Sequence, residues 1–424
     1  MRVGVLGGGL VGLVVAGHAA ADCEVLEADD VVGGHCRSLV RDGYCFDLGG
    51  PHILFSRNKE ILDLIFATLG GNLQMGQRAN KIWFDGRYVK YPFENGLYDL
   101  APADRFDCLY HYLRNDHPPP HNFREWIYHT FGTGIAEKYM IPYNEKIWKV
   151  AAEAMAIDWV DGRVPRPPLE DVIKAAVGVE TEGYTHQSTF GYPREGGIEA
   201  VVHGFAARCR NVVTGFPVRR VWREGAAWCV GDGTRTRRYD RLVSTIPVQA
   251  LIAGLPDVPA TIRRLTGELR YNSLATVMLG LRCDSPLPYT AIYVPDPEIV
   301  FHRLSFPLNF TPNGAPPGHM AVTAEITWDP QHGAPPPADD VLVARTLEGL
   351  ARMGIATPDA LAFRAVHRTQ YAYVVRTIGY AERLKPVLDY VAGLGIVSVG
   401  RNAEFEYINM DEAVRRGLAA AGGL

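Results

Sequence analysis

The 424-residue chain lacks the makings of a disulfide frame or a zinc site. Its seven cysteines (23, 36, 45, 108, 209, 229 and 283) are scattered, and no two form a CxxC pair. Reduced, packed thiols are therefore expected, as in a cytoplasmic protein, with no metal site. Positive charge is not in excess: the net charge is −4 and the pI about 6.4. That excludes an electrostatic footprint for nucleic acid or for an anionic membrane surface. No apolar run is long enough to span a bilayer. Internal repeats and low-complexity tails are absent, which excludes solenoids and disordered arms. The first residues already read as a strand, so no signal peptide is expected ahead of the fold. The remaining class is a soluble enzyme of two or three structural units, with chain enough for a sizeable core.

Within that class the N-terminus is specific. Val3-Gly4-Val5-Leu6 reads as a buried parallel strand, Gly7-Gly8-Gly9-Leu10-Val11-Gly12 follows at once, and Leu13 to Ala21 reads as a helix. Glu24-Val25-Leu26-Glu27 then gives a second strand ending in an acid, 20 residues after Gly7. Strand, glycines, helix, strand and acid in this order form an adenine-dinucleotide site. The glycines supply a tight turn, a close approach to pyrophosphate and close helix–strand packing, and Glu27 a ribose contact. The short link between Gly12 and Glu27 predicts a shortened first helix.

Gly33-Gly34-His35-Cys36 comes six residues after the acid, followed by Asp42-Gly43-Tyr44-Cys45-Phe46-Asp47-Leu48-Gly49-Gly50. This resembles the extended fingerprint of two-dinucleotide-domain flavoproteins, whose later glycines approach the FAD pyrophosphate and ring. Arg241-Leu242-Val243-Ser244-Thr245-Ile246-Pro247 is similar to the strand that returns to the cofactor unit in the same proteins. Together these pieces favour FAD over NAD.

Two further segments carry candidate chemistry. Near the C-terminus a strand is expected to end near Val399, with Arg401 and Tyr407 on a loop and a helix starting near Met410. Its free N–H groups suit an electron-rich ring edge or a phosphate. In the middle, Tyr143-Asn144-Glu145-Lys146-Ile147-Trp148 precedes Arg163 and Arg166. Tyr and Trp five residues apart, followed by two arginines, make either a stacking platform with a diphosphate clamp or an aromatic core with surface arginines.

Taken in order, the motifs resemble the flavin-dependent UDP-galactopyranose mutase family over nearly the whole chain. Gly50-Pro51-His52-Ile53 resembles its flavin-side histidine loop. Tyr143 to Trp148 resembles its uridine-stacking Tyr and neighbouring Trp, and Arg163 its diphosphate-binding arginine. Phe301-His302-Arg303, with Asn309-Phe310-Thr311-Pro312, resembles the second arginine strand of the eukaryotic branch. Tyr373 falls near a phosphate-binding tyrosine, and Arg401, Tyr407, Asn409 and Asp411 match the closing motif. Three segments depart from the pattern. Val374-Val375-Arg376 replaces a Pro-containing stretch, Asn409 stands where bacterial members often carry an acid, and Phe190-Gly191-Tyr192-Pro193 matches only loosely. The nucleotide base and the sugar are left open.

The resemblance implies FAD, active when reduced, and interconversion of pyranose and furanose forms of a nucleotide-diphosphate sugar with no net redox. In that chemistry the flavin N5 attacks the anomeric carbon, the diphosphate leaves, and a covalent flavin–sugar adduct opens and recloses through the 4-hydroxyl. It implies catalytic roles for His52, Arg163, Arg303 and Arg401. Substrate contacts fall to Tyr143, Asn144, Trp148, Arg163, Arg303, Asn309, Tyr373 and Tyr407. Cofactor contacts fall to Gly7, Gly9, Leu10, Gly12, Glu27, Gly33, Gly34, Gly50, His52, Arg401, Asn409, Met410 and Asp411. The implied partners are the nucleotide sugar, NAD(P)H or a reductase as electron source, and a second copy in a homodimer. An FAD oxidoreductase of the amine-oxidase or protoporphyrinogen-oxidase type shares the FAD pieces but not the Tyr–Trp–Arg insert. A non-catalytic flavin binder is a third reading. His52 and Arg376 either tune the flavin or are structural; Arg401 either faces the flavin and phosphates or pairs with Asp411 or Glu404.

The expected fold is α/β: a discontinuous Rossmann-like FAD-binding domain (1–80, 188–250 and 386–424), a helical nucleotide-binding insert (95–187) and an antiparallel sheet domain (81–94 and 251–385). Lys81 to Tyr91 reads as a hairpin around Asp85-Gly86, and Val341–Met353 as an amphipathic helix.

Overall fold

The computed structural model describes residues 1–161, 163–182 and 188–424. Val3, Val5 and Leu6 are fully buried, because this uninterrupted apolar strand lies at the centre of a parallel sheet covered on both faces. The five strands run in the order Ile396–Ser398, Arg241–Ser244, Arg2–Leu6, Asp22–Leu26 and Asn211–Val213. Beginning, middle and end of the chain thus meet in one sheet. Val3 and Val5 face one core with Leu13, Val14 and Val414. Leu6 faces another with Trp228, Leu251 and Val387. The first core lies under the helices Leu10–His18 and Met410–Gly422. These two approach so closely that a Cβ on Gly417 would stand 2.9 Å from Cγ1 of Val14. The first helix is nine residues long, in line with the short link read from the sequence.

A second, seven-stranded sheet runs Leu361–Val374, Tyr271–Arg282, His319–Trp328, Arg303–Ser305, Ala291–Tyr293, Asn80–Phe84 and Arg87–Lys90. Its long strands pair antiparallel. Ala291–Tyr293 and Asn80–Phe84 run parallel, a departure from the all-antiparallel expectation. The two strands are far apart in sequence, so no tight turn fixes their relative direction. The hairpin Asn80–Lys90 turns at Asp85 and Gly86, both at positive φ (45° and 73°), as a two-residue hairpin loop of this hand requires. The helix Asp339–Arg352 covers this sheet through Leu342, Val343 and Leu350.

The helices Pro102–Leu113, Phe123–Ile135 and Ile141–Trp148 form the insert, the last two joined by a five-residue π-helical turn, Ala136–Met140. Their aromatic residues Phe123, Trp126, Phe131 and Trp148 share a core with Ile82 and Tyr373 of the seven-stranded sheet. The insert is therefore clamped onto the sheet. Residues 183–187, at the end of the expected insert, and Gly162 lie outside the described residues. Among the described residues no helix is long and apolar enough to cross a membrane.

Candidate active site

Gly7 leaves the first strand at φ 101°, a conformation that L side chains rarely adopt. Its carbonyl oxygen would stand 2.0 Å from a Cβ on Gly12, so the helix can start this close to the strand only with glycine there. Gly9 caps that helix without a side-chain hydrogen bond, and no acid sits in the first turn. A Cβ on Gly9 would meet no atom within 4 Å. The helix end thus combines unclaimed N–H groups, a positive dipole and a side-chain-free approach, which suits a pyrophosphate. Leu10 is buried beneath. Gly33 donates its N–H to the Gly8 carbonyl (2.9 Å) and bridges to Gly9, which brings Gly33 and Gly34 to the same helix end. Glu27 accepts from the N–H of Gly8 (2.7 Å) and of Asp29 (2.9 Å), so its carboxylate is fixed at the end of the second strand.

The loop Gly49–His52 rests on Asp47, a buried acid. Its Oδ1 accepts from Ser38 Oγ (2.9 Å), Tyr192 OH (2.9 Å) and the Ile198 N–H (3.1 Å), and its Oδ2 from the His52 N–H (3.3 Å). Burial pushes this carboxyl up to about 6, against the downward pull of those bonds. His52 Nδ1 lies 2.7 Å from the Gly50 carbonyl. Desolvation brings its imidazole down to about 4; the Gly50 bond opposes this, and Arg401 and Arg303 add to it. His52 is accordingly neutral at pH 7.

Gly50 would place a Cβ 2.9 Å from Glu325 Oε2, which leads to the centre of the site. Glu325 is fully buried. It takes Arg303 through two bonds, Nε to Oε1 (2.6 Å) and Nη2 to Oε2 (2.7 Å), and its Oε2 also accepts from Tyr373 OH (3.0 Å). One carboxylate thus orients an arginine and a tyrosine that the sequence singled out separately. His302 lies behind it, with Nε2 4.0 Å from Glu325 Oε2 and both ring nitrogens without a hydrogen-bond partner among the described residues. Glu325 was missed from sequence, although an acid inside the apolar run Met320–Ile326 was a signal: a charge buried in a central strand requires a partner.

Tyr407 lies against two guanidiniums, Arg401 (4.3 Å from Cζ to ring centre) and Arg163 (4.7 Å). Trp148 meets Tyr407 and Tyr373 edge-on at 6.0 and 6.1 Å. Tyr143 stacks on Tyr139 (5.5 Å) and lies 6.5 Å from the His302 ring. Burial lowers the Arg163 guanidinium; Tyr407 opposes this, while Arg376 and Arg401 add to it. Arg401 donates to the carbonyls of Ala372 (2.7 Å) and Ile408 (3.3 Å), and its Nε is buried without a hydrogen-bond partner among the described residues. The alternative ion pairs for Arg401 are not formed: Asp411 accepts from Ser56 Oγ (2.7 Å), and Glu404 pairs with Arg416 (3.0 Å).

The structure therefore brings His52, Tyr143, Trp148, Arg163, Arg303, Tyr373, Arg401 and Tyr407 into one connected cluster. Two expected substrate contacts are turned elsewhere. Asn144 donates to the Met140 carbonyl (2.7 Å) and accepts from Trp148 Nε1 (3.1 Å), so it aims the tryptophan. Asn309 donates to the carbonyls of Leu287 (2.8 Å) and Tyr289 (2.7 Å), so it pins a loop. Asn409 is exposed at the cap of the final helix, which starts at Met410 as expected.

The model of the family described as flavin containing amine oxidoreductase matches residues 13–424. Reduced UDP-galactopyranose mutase has the same fold, with a TM-score of 0.90 and 24% identity over 99% of this chain and 94% of that one. A protein described as a protoporphyrinogen oxidase from Exiguobacterium sp. 255-15 gives a TM-score of 0.76 and 20% identity, over 100% and 98%. Cyclohexylamine oxidase from Brevibacterium oxydans IH-35A gives 0.64 and 15%, over 100% and 98%.

Proposed function

The chain belongs to the flavin containing amine oxidoreductase family, and from that premise we propose that it is an FAD-dependent mutase, interconverting pyranose and furanose forms of a nucleotide-diphosphate sugar without net oxidation. The observation that carries the reading is Tyr407 in contact with both Arg163 and Arg401, beside Trp148 and Tyr373. An amine substrate arrives as a cation and is repelled by such a cluster. A nucleoside diphosphate offers it two phosphates and a flat base. The likeness to reduced UDP-galactopyranose mutase supports the same choice.

In this reading the Gly7–Gly12 turn, Gly33, Gly34 and Glu27 hold the adenosine diphosphate half of FAD, and Gly50, His52 and Arg401 lie along its ring side. When bound and reduced, FAD supplies a nucleophilic nitrogen to the anomeric carbon. Arg163 and Arg303 hold the diphosphate as it departs and keep it in place for return. Arg303 uses Nε and Nη2 on Glu325, leaving Nη1 for a ligand. Tyr143 and Trp148 supply the stacking wall for the base. His52, being neutral, adds no charge next to the ring. Electrons come from NAD(P)H or a reductase, and the chain works as a homodimer or alone.

The test is to reduce the purified protein with dithionite and incubate it with UDP-, GDP-, CDP- and dTDP-sugars, separating pyranose from furanose by chromatography. The expected result is interconversion of at least one sugar with no acceptor consumed and no peroxide formed. If no nucleotide sugar isomerises while an acceptor-dependent oxidation proceeds, the protein is an FAD oxidoreductase of the amine-oxidase type.

A further inference from the structure

Arg376 follows the long strand Leu361–Val374, in the Val374-Val375-Arg376 segment that departs from the expected pattern. It is firmly seated. Its carbonyl accepts from the Ala156 N–H (2.9 Å), its neighbour Thr377 bridges to Met155, and the Ile378 N–H donates to Ala154 (3.0 Å). The side chain lies across the Tyr380 ring at 5.0 Å. Its Nη1 donates to Asp158 Oδ2 at 3.3 Å, and the Tyr380 hydroxyl is a second polar neighbour of the guanidinium. Asp158 is half exposed while Arg376 is 18% exposed, and Arg376 Nε is buried with no hydrogen-bond partner among the described residues.

The same side chain lines a cavity with Arg163, Trp148, Trp159 and Tyr407. Two arginines therefore border one aromatic hollow, and Arg401 lies 4.3 Å from the centre of the Tyr407 ring. Arg376 and Arg401 both disfavour the charge on Arg163. Glu406 and Asp158 offset part of this repulsion, and a phosphate bound at the partly desolvated wall would offset more. A planar fork with an unclaimed N–H matches a phosphate more closely than it matches a single carboxylate oxygen.

We propose that Arg376 is a ligand-binding residue that, with Arg163, forms a two-arginine phosphate site and sets the preference for a nucleoside diphosphate over a monophosphate. The inference rests on the nucleotide-sugar reading above and adds to it a residue outside the resembled motifs. Asp158 is the counter-charge that holds Arg376 in place until the phosphate arrives.

The flavin-loaded full chain is titrated with UDP, GDP, CDP, UMP, uridine and inorganic pyrophosphate, following the flavin spectrum and, independently, heat of binding. The wild type is expected to favour one nucleoside diphosphate over its monophosphate. Arg376→Gln is expected to lose roughly 10-fold or more in diphosphate affinity, on the order of one charged hydrogen bond, with uridine affinity and flavin content unchanged. Asp158→Asn keeps the arginine and removes its competitor, so diphosphate affinity is expected to hold or rise. If Arg376→Gln keeps its flavin and binds the diphosphate as tightly as wild type, the inference is overturned while the nucleotide reading stands. Equal losses for both variants toward uridine and diphosphate alike would make the pair a structural brace, which also overturns it. A wild type that binds pyrophosphate through Arg376 but no nucleotide sinks the nucleotide reading and leaves the phosphate site. One that binds neither sinks both.

Discussion

At the scale of single residues, Glu325 does most to define the site. It holds Arg303 and Tyr373 at once and has no access to water. Removing one partner of a buried ion pair leaves the other charge uncompensated, a loss of about 3–5 kcal/mol. Glu325→Gln is expected to lower the urea unfolding free energy by that order, and a loss below about 1 kcal/mol would mean that Arg303 is solvated instead. The pH response has competing signs. His52 titrates near 4 in the folded chain, against an ordinary 6.5, so the unfolded chain takes a proton that the folded one refuses. Its contribution is present above 6.5 and is lost as pH falls toward 4. His35, brought down to about 3 chiefly by desolvation, acts in the same direction. Asp47, raised to about 6 by burial from an ordinary 3.8, opposes them by gaining its proton early in the folded state. Stability is expected to drop between pH 7 and pH 5. His52→Gln should flatten the drop and Asp47→Asn steepen it, as measured by urea midpoints; slopes that do not change would contradict these assignments.

Among the elements, the glycine turn shows what could be read in advance. Gly7 and Gly12 are required by hard contacts, a positive φ and a 2.0 Å clash, and such local requirements are written in local sequence. Gly12→Ala is expected to yield protein without bound flavin, with overpacking costing about 1–3 kcal/mol. A yellow variant with unchanged melting temperature would argue against it. The start of the last helix and the Asp85-Gly86 hairpin were legible for the same reason. The roles of Asn144 and Asn309 were not, because each amide is claimed by a backbone carbonyl whose position tertiary packing decides. Nor was the π turn Ala136–Met140, since a shift from four- to five-residue hydrogen bonding leaves no compositional mark. Glu325 was legible in principle, as an acid inside an apolar strand, but its partners lie on other strands.

Over the whole molecule, the parallel sheet joins strands from opposite ends of the chain, and the final helix packs on the first. Deleting residues 396–424 removes the edge strand beside Arg241–Ser244, uncovers Val11 and Val14, and takes away Arg401 and Tyr407. The truncated chain is expected to lose both flavin and a cooperative thermal transition. Retention of either by the purified fragment would show that the sheet closes without its last strand.

The contact of Tyr407 with both Arg163 and Arg401 has a bearing on biosynthesis. Arg163 comes from the helical insert, and Arg401 and Tyr407 from a segment well over two hundred residues later, so a ribosome adding roughly 5–20 residues each second delivers them many seconds apart. A nascent chain already holding its first strand and glycine turn still lacks Arg401 and Tyr407. Under the function proposed above, flavin and ligand are expected to be taken up only once Arg401 and Tyr407 have been made, and chains stalled before Arg401 are expected to purify without flavin.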